Sequence, residues 1–214
     1  MQFSRSINRL PLQIIVYLCA MAAVATAGVS YYMTPKYTRV GYAPVQPVPY
    51  SHARHVGELG LDCRYCHNTI DSTGSALPTA QTCMNCHSMI MGSSPALATV
   101  RESFQSGEPI RWVHVSEMPS YVFFDHAIHV NRGIGCVECH GRVNRMEVVT
   151  QVQPMSMGFC LDCHRAPEGR VREAKDIYKL DSMTIAQSRG LAAARRFVED
   201  GDLRPTQSCS GCHR

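Results

Sequence analysis

Five segments of the chain share the pattern Cys-x-x-Cys-His, and their residue types are the ones best suited to chemistry. In chain order, called motifs 1 to 5 below, they are Cys63/Cys66/His67, Cys83/Cys86/His87, Cys136/Cys139/His140, Cys160/Cys163/His164 and Cys209/Cys212/His213. Two cysteines at this spacing can bond through both sulfurs to one haem, and the adjacent histidine can then reach the iron. The motifs use ten of the eleven cysteines. They predict five covalently bound haem c groups, with the histidines as proximal iron ligands.

Zinc sites and disulfides are the alternative uses of paired cysteines. Four-cysteine zinc sites take C-x-x-C pairs two at a time, so five pairs would leave one unmatched. Neither zinc nor a disulfide framework explains a histidine after every second cysteine. Haem attachment is therefore the interpretation adopted here.

The other five histidines are candidates for the second, distal position on the irons: His52, His55, His114, His126 and His129. Four of them form two H-x-x-H pairs, whose members share one helical turn and can face two different irons. Ligation by two histidines gives low-potential electron-transfer haems that are closed to substrates. For the fifth iron, the alternatives are His114 and a methionine, for which Met157 and Met146 are the candidates. A thioether ligand would raise the potential of that haem.

The H-x-x-H pairs also mark an internal duplication. Each pair precedes one motif by a few residues, and a second motif follows after 15 residues in the first copy and 19 in the second. This pattern predicts two-haem units at about 51–92 and 121–168 and a fifth haem at 205–214.

Length and composition restrict the fold. About 165 residues must enclose five haems, roughly one for every 33 residues, so porphyrin replaces much of the side-chain core. We predict a multihaem cytochrome c fold, mostly coil with short α-helices around a five-haem stack. The net charge of +4 does not indicate a nucleic-acid surface. Arginine outnumbers lysine by 18 to 3, and its planar donors suit haem propionates, which makes candidates of Arg64, Arg142, Arg165 and Arg214.

Two longer helices are predicted between the motifs. Ser94 caps the first, which runs over 95–105 and stops before Gly107. The second runs over 183–199 and stops at Gly201. Its apolar face, expected to pack against a haem, consists of Leu191, Ala194 and Val198.

The N-terminal stretch reads as a membrane segment. Residues 10–32 carry no charge and follow Arg9, and about 20 such residues suffice for a helix to cross a bilayer. A cleavable signal peptide is favoured by Ala25-Thr26-Ala27, which fits a small-x-small cleavage site. An uncleaved anchor is favoured by the length of the run and by the aromatic and basic residues at its far end, Tyr31, Tyr32 and Lys36.

We predict the anchor, with the basic residues Arg5 and Arg9 held in the cytoplasm. The haem-bearing part then lies on the periplasmic side of a bacterial cytoplasmic membrane. The expected organisation is a transmembrane anchor at 1–33, a Pro-rich linker at 34–50 and a pentahaem domain at 51–214.

With these residues in place, the chain resembles the membrane-anchored pentahaem cytochrome c subunits of alternative complex III, a bacterial quinol oxidoreductase. The most specific stretches are 41–47, 62–67, 122–141 and 157–165. The two-haem units are similar to class III cytochromes of the c3 and c7 type. That resemblance implies that His52 serves the iron held by His67, and His126 the iron held by His140. One departure is Ser116, which stands where the family has a histidine.

The resemblance implies a redox subunit that is not an enzyme by itself. Its partners would be an integral-membrane quinol-oxidising subunit and an iron–sulfur subunit, and its acceptor a monohaem cytochrome c or a terminal oxidase. A free-standing quinol dehydrogenase is the first alternative, but one helix without an acidic residue offers little for a quinol pocket. A multihaem reductase would need an open iron position, usually marked by an altered motif, and the five motifs here are alike.

Overall fold

The computed structural model describes residues 7–33, 38–72 and 77–213. The chain divides into two compact units, Met1–Val40 and Gly41–Arg214. The described part contains no β-strand, and its only ladder-type pairings are the isolated bridges between Val122 and His213 and between Ile134 and Val171. The predicted architecture of short helices and coil is therefore confirmed.

The first unit is dominated by helix α1, Leu10–Met33, which follows a 3-10 turn at Ile7–Arg9. Residues Leu10–Tyr32 are long and apolar enough to cross a membrane, and none of this segment is buried within the protein. The helix is compatible with a single-pass anchor. Arg5, Lys36 and part of the predicted linker lie outside the described residues.

The second unit consists of short helices joined by coil. The α-helices are α2 Cys63–Cys66, α3 Ala80–His87, α4 Ala98–Ser106, α5 His126–Asn131, α6 Val137–His140, α7 Met157–Arg165, α8 Ile185–Arg189, α9 Leu191–Asp200 and α10 Cys209–Cys212. A π-helical turn, Ala53–Glu58, follows His52, and 3-10 turns cover Pro95–Leu97, Val143–Arg145, Pro167–Gly169 and Ala174–Asp176.

Side-chain caps begin several of these short helices. The Asp62 carboxylate accepts a hydrogen bond from the Arg64 N–H (2.9 Å) at the start of α2. The Asp125 carboxylate accepts one from the Ala127 N–H (2.8 Å) at the start of α5. Such caps satisfy backbone donors that a helix of one or two turns cannot satisfy itself. They therefore fix where the helices that carry cysteine and histidine begin.

The first of the two predicted longer helices is present, but its first turn is 3-10 and the Ser94 side chain makes no capping hydrogen bond, so Ser94 begins the helix only by its extended backbone. The turn Pro95–Leu97 continues into α4, which ends at Gly107 in the left-handed conformation (φ 77°). Glycine adopts this conformation without the steric penalty of a side chain. The buried residues Leu97 and Val100 then pack with Val48 and Ala80.

The second predicted helix is wrong as a continuous element, because Gly190 (φ 86°, ψ 159°) divides it into α8 and α9. Helix α8 begins after Thr184, whose side chain forms a capping box with Gln187, rather than at Met183. Ala194 is fully buried against Val171 and Ile185, and Val198 packs on the same cluster. Leu191 is 46% exposed, so it lies outside the face predicted for it.

A partly buried ion-pair cluster joins motif 3 to the coil that follows motif 4. Glu138, between the cysteines of motif 3, accepts hydrogen bonds from Arg172 Nη1 (2.6 Å) and Arg170 Nη1 (2.7 Å). Arg172 is 4% exposed and also donates from Nε to Ser182 Oγ (3.2 Å). A Cβ at Gly135 would lie 3.0–3.2 Å from the Arg172 side chain, so glycine makes room for it.

We expect Arg172→Met to lower the free energy of unfolding by about 2 kcal/mol, because the half-buried Glu138 carboxylate loses its buried partner and keeps only the more exposed Arg170. Chemical denaturation of the loaded protein measures the change. Arg204→Met is the matched control. The Arg204 side chain is 86% exposed in its pair with Asp202, and exposed pairs contribute little. Equal losses in the two variants would contradict a structural role for the cluster.

Candidate haem sites

The cysteines of all five motifs lie on or next to short helical turns. Burial raises the pKa of Cys136 to about 11 and that of Cys139 to about 11. The charged thiolate is therefore disfavoured at both positions. A thioether to a haem carries no charge and suits the same surroundings.

The ten motif cysteines, which the sequence treats alike, differ in exposure. Cys86 and Cys209 are exposed, whereas the other eight are half-buried. Cys86 is exposed because it lies in the last turn of α3, which is followed by the exposed residues Met89 and Ile90. The N–H groups of both residues donate to the Cys86 carbonyl (3.0 and 2.9 Å). Haem attachment stays a prediction for all ten cysteines, and a group held at Cys86 or Cys209 would have an edge near solvent.

In three pairs of histidines, the two rings lie at nearly the same separation. The ring centroids are 6.1 Å apart for His55 and His87, 6.2 Å for His126 and His140, and 6.2 Å for His129 and His164. Metal–imidazole bonds of about 2.0–2.1 Å, with each bonding nitrogen about 1.1 Å from its ring centre, place two rings on one metal roughly 6 Å apart. The three pairs thus have the separation that a shared iron requires.

Each pair joins one histidine of an H-x-x-H sequence to the histidine of one motif. His55 meets motif 2, His126 meets motif 3 and His129 meets motif 4. The first member of the second H-x-x-H thus meets the first motif of its unit, and the second member meets the second motif. Applied to the first two-haem unit, the same rule pairs His52 with His67.

The surroundings of His52 agree with that assignment. Burial is the main cause that lowers the pKa of His52 to about 4, and the neighbouring His67 is the next largest. Burial also lowers the pKa of His140 to about 4, with smaller contributions from His126 and His67. Low pKa values keep both imidazoles neutral, which is the form that binds a metal. The buried Nδ1 of His52 has no hydrogen-bond partner among the described residues.

Four histidines have their second ring nitrogen oriented by backbone carbonyls. Nδ1 lies 2.8 Å from Ser51 O in His55, 2.7 Å from Asp125 O in His129, 3.0 Å from Ile90 O in His87 and 2.7 Å from Thr206 O in His164. A carbonyl oxygen can only accept, so Nδ1 carries the proton in each case. Nε2 is then left with the lone pair that a metal ligand needs.

One aromatic ring contacts both histidines of each H-x-x-H pair. Tyr50 stacks on His55 (4.4 Å between centroids, 24°) and meets His52 edge-on (4.8 Å, 87°). Phe124 repeats this arrangement with His129 (4.7 Å, 27°) and His126 (4.8 Å, 87°). Neither aromatic residue was among those predicted from the sequence. An aromatic residue two positions before both copies of H-x-x-H is the signal that could have found them.

The fifth motif is placed by a different part of the chain. Val122 bridges to His213, and the Phe123 N–H donates to Cys212 O (2.8 Å). The Tyr121 ring lies beside the His213 ring, with 5.7 Å between the centroids and 33° between the ring planes. Met157 begins α7 with 65% of its surface exposed, and His114 is exposed. The choice between Met157 and His114 as the fifth distal ligand stays a prediction.

The candidate propionate-binding arginines differ from one another. Arg64 donates to both carboxylate oxygens of Asp62 (2.9 and 3.0 Å) and lies over the Tyr178 ring, so its own neighbours engage it. Arg142 and Arg165 are exposed. Arg214 lies outside the described residues.

The described residues contain no group of three or more His, Cys, Asp and Glu side chains arranged to hold a bare metal ion. Histidines meet in pairs instead, each beside a C-x-x-C sequence. This arrangement fits haem.

Comparison with known proteins supports this. Residues 122–214 match the family described as cytochrome c7 and related cytochrome c. Residues 122–214 are a cytochrome c7-like multihaem domain. The chain is also 38% identical over 97 residues to the multihaem cytochrome c subunit of menaquinone reductase from Nitratidesulfovibrio vulgaris. That match covers 44% of this chain and 45% of the relative, so the chain spans about half the length of the relative.

We expect Tyr50→Leu and Phe124→Leu each to increase the high-spin fraction of two haems, because each removes the ring that orients two distal histidines. Such ring contacts contribute about 0.5–1.5 kcal/mol. Tyr50→Phe and Phe124→Tyr are the controls, because each copy of the unit already tolerates the other residue. Electron paramagnetic resonance of the ferric protein gives the spin states. Equal effects of the leucine and aromatic replacements would show that the rings do not position the ligands.

Proposed function

We propose that the chain is an electron-transfer subunit that binds five haem c groups and connects a quinone-linked membrane complex to a redox partner. The observation that carries the proposal is the common 6.1–6.2 Å separation of three histidine pairs, each composed of one attachment motif and one H-x-x-H residue. A haem bound by two histidines exchanges single electrons without binding substrate.

The chain's own residues have three tasks in this proposal. The ten motif cysteines would hold the groups covalently, and each of the five motif histidines would bind one iron. His52, His55, His126 and His129 would supply the second ligand of four irons, and Met157 or His114 that of the fifth. Backbone carbonyls and the rings of Tyr50 and Phe124 hold the imidazoles in position. Together these residues close the irons to substrates, so the chain is not an enzyme by itself.

The membrane and partner assignments rest on α1 and on the comparison. The apolar helix supports a single-pass anchor, with the haem domain on the periplasmic side of a bacterial cytoplasmic membrane. The relative's name supports assembly with quinone-reactive subunits. We assign the chain to alternative complex III, with a quinol-oxidising membrane subunit and an iron–sulfur subunit as partners. A monohaem cytochrome c or a terminal oxidase accepts the electrons.

The relative's description as part of a menaquinone reductase favours one second candidate. In it, the same residues carry electrons in the opposite direction, towards a quinone in the membrane. Purified membrane complexes distinguish the two directions. Quinol-driven reduction of the bound haems supports the first, whereas reduction of quinone by electrons supplied through this chain supports the second.

We expect five haems per chain, because each motif is complete. The pyridine haemochrome spectrum, compared with protein mass, measures the ratio directly. Replacing Cys209 and Cys212 by alanine should reduce it to four, because this change removes only the last attachment site. Four haems or fewer in the unchanged chain would refute the assignment.

We also expect α1 to dock against a helix of the quinone-reactive subunit. Its outer half is rich in alanine, and small residues allow close approach of two helices in lipid. Replacing Ala23 and Ala27 by leucine should preserve haem content and membrane insertion but reduce co-purification of the partner subunits. Leucine at Val16 and Val24 is the control, because it adds little bulk. Undiminished co-purification of the alanine variant would contradict docking through this helix.

A further inference from the structure

Contacts between the motifs connect them in an order that differs from their order in the chain. We infer that the motifs follow one another in space as motif 2, motif 1, motif 3, motif 4 and motif 5. Motif 2 and motif 5 are then the two ends of the electron path. This inference rests on the proposed function, because the order matters only if the motifs hold haem.

Within each two-haem unit, the H-x-x-H turn makes the connection. His55 faces His87 of motif 2, and His52, three residues earlier, is left for motif 1. Tyr50 contacts both histidines, so the two sites share one ring. In the second unit, His126 and His129 face motifs 3 and 4, and Phe124 contacts both. Motifs 1 and 2 are therefore neighbours, as are motifs 3 and 4.

Motif 1 is adjacent to the second two-haem unit. Cys63 Sγ lies 3.7 Å from Tyr178 O, and the Cys136 N–H donates to Ile177 O (3.3 Å). The first cysteines of motifs 1 and 3 thus lie beside consecutive residues of one segment. Nearby, a Cβ at Gly57 would collide with the Asn144 carbonyl, which shows how closely the turn after His55 approaches the turn after motif 3.

Motif 5 adjoins motif 4 through Thr206. The Thr206 carbonyl accepts the hydrogen bond from His164 Nδ1 (2.7 Å), and Gln207 Nε2 donates to His164 O (3.4 Å). The Thr206 side chain in turn lies against Gly211, between the cysteines of motif 5, where a Cβ would collide with it. The segment that orients the motif 4 histidine therefore leads directly into motif 5.

The order has a consequence for electron flow. An electron that crosses the whole chain from motif 2 must pass motif 1 before it reaches motif 3. In a path that followed the sequence, it would pass directly from motif 2 to motif 3. The two orders therefore predict different magnetic neighbours for motif 3.

Electron paramagnetic resonance of the full-length, haem-loaded chain can distinguish them. His52→Met and His55→Met first assign the low-spin ferric signals of motifs 1 and 2, because each moves one signal. His126→Gly then leaves the iron at motif 3 high-spin and fast-relaxing. We expect it to speed the relaxation of the motif 1 signal several-fold and to leave the motif 2 signal unchanged. His129→Gly, which acts at motif 4, is the matched control and should affect neither.

Faster relaxation of the motif 2 signal alone, or an equal increase in the relaxation rates of the motif 1 and motif 2 signals, would overturn the order. If neither methionine variant moves a low-spin signal, the proposed ligation itself fails, which is a distinct result. If His126→Gly loses covalently bound haem, the chain without substitutions is studied instead by nuclear magnetic resonance in its reduced, diamagnetic state. Nuclear Overhauser contacts between the haem substituents at motifs 1 and 3 are then expected, and their absence overturns the order.

Discussion

The structure depends on opposed histidines held at a fixed separation. Two rings on one iron must stand roughly 6 Å apart, and the members of the pairs are 14, 32 and 35 positions apart in the chain. Bringing such residues together requires repeated reversals of the chain. Short helices and coil allow those reversals, whereas long helices would not. The largest fully buried side chains of the described residues, Val100 and Val171, are modest in size, so side-chain packing alone does not impose this geometry.

Polar and backbone contacts hold much of the coil instead. The Gly41 N–H donates to Gln151 O (2.8 Å), and the Gln151 N–H donates to Tyr42 O (3.0 Å). These bonds join residues 41–42, which precede the first two-haem unit, to the region after motif 3. Glu138, Arg170 and Arg172 connect motif 3 to the coil beyond motif 4. A fold with so small an apolar core gains stability from any group that binds its folded form. Covalent haem would supply that contribution.

The sequence was informative where function requires particular residues at particular spacings. It predicted the helix and coil architecture, the apolar N-terminal helix, the helix after Ser94 and the histidines that the structure brings together. It did not predict the break at Gly190, because a glycine within an otherwise helical pattern is compatible with either outcome. Nor could five identical motifs predict that Cys86 is more exposed than Cys83, because exposure depends on where the chain goes after each helix. The links between motifs depend on backbone carbonyls, which every residue has. The order of the motifs in space could therefore not be derived from residue types or spacing.

The position of each H-x-x-H ahead of its own motifs bears on biogenesis. A chain synthesised from its N-terminus presents His52 and His55 before Cys63, and the first unit has both ligand sets by His87. The second unit repeats this sequence of events between His126 and His164. Maturation can thus proceed module by module, with short-range closures that fold quickly. Motif 5 is different, because Phe123 of the second two-haem unit must already be in place to donate its hydrogen bond to Cys212. Docking of the segment that carries motif 5 is accordingly expected to follow closure of that two-haem unit.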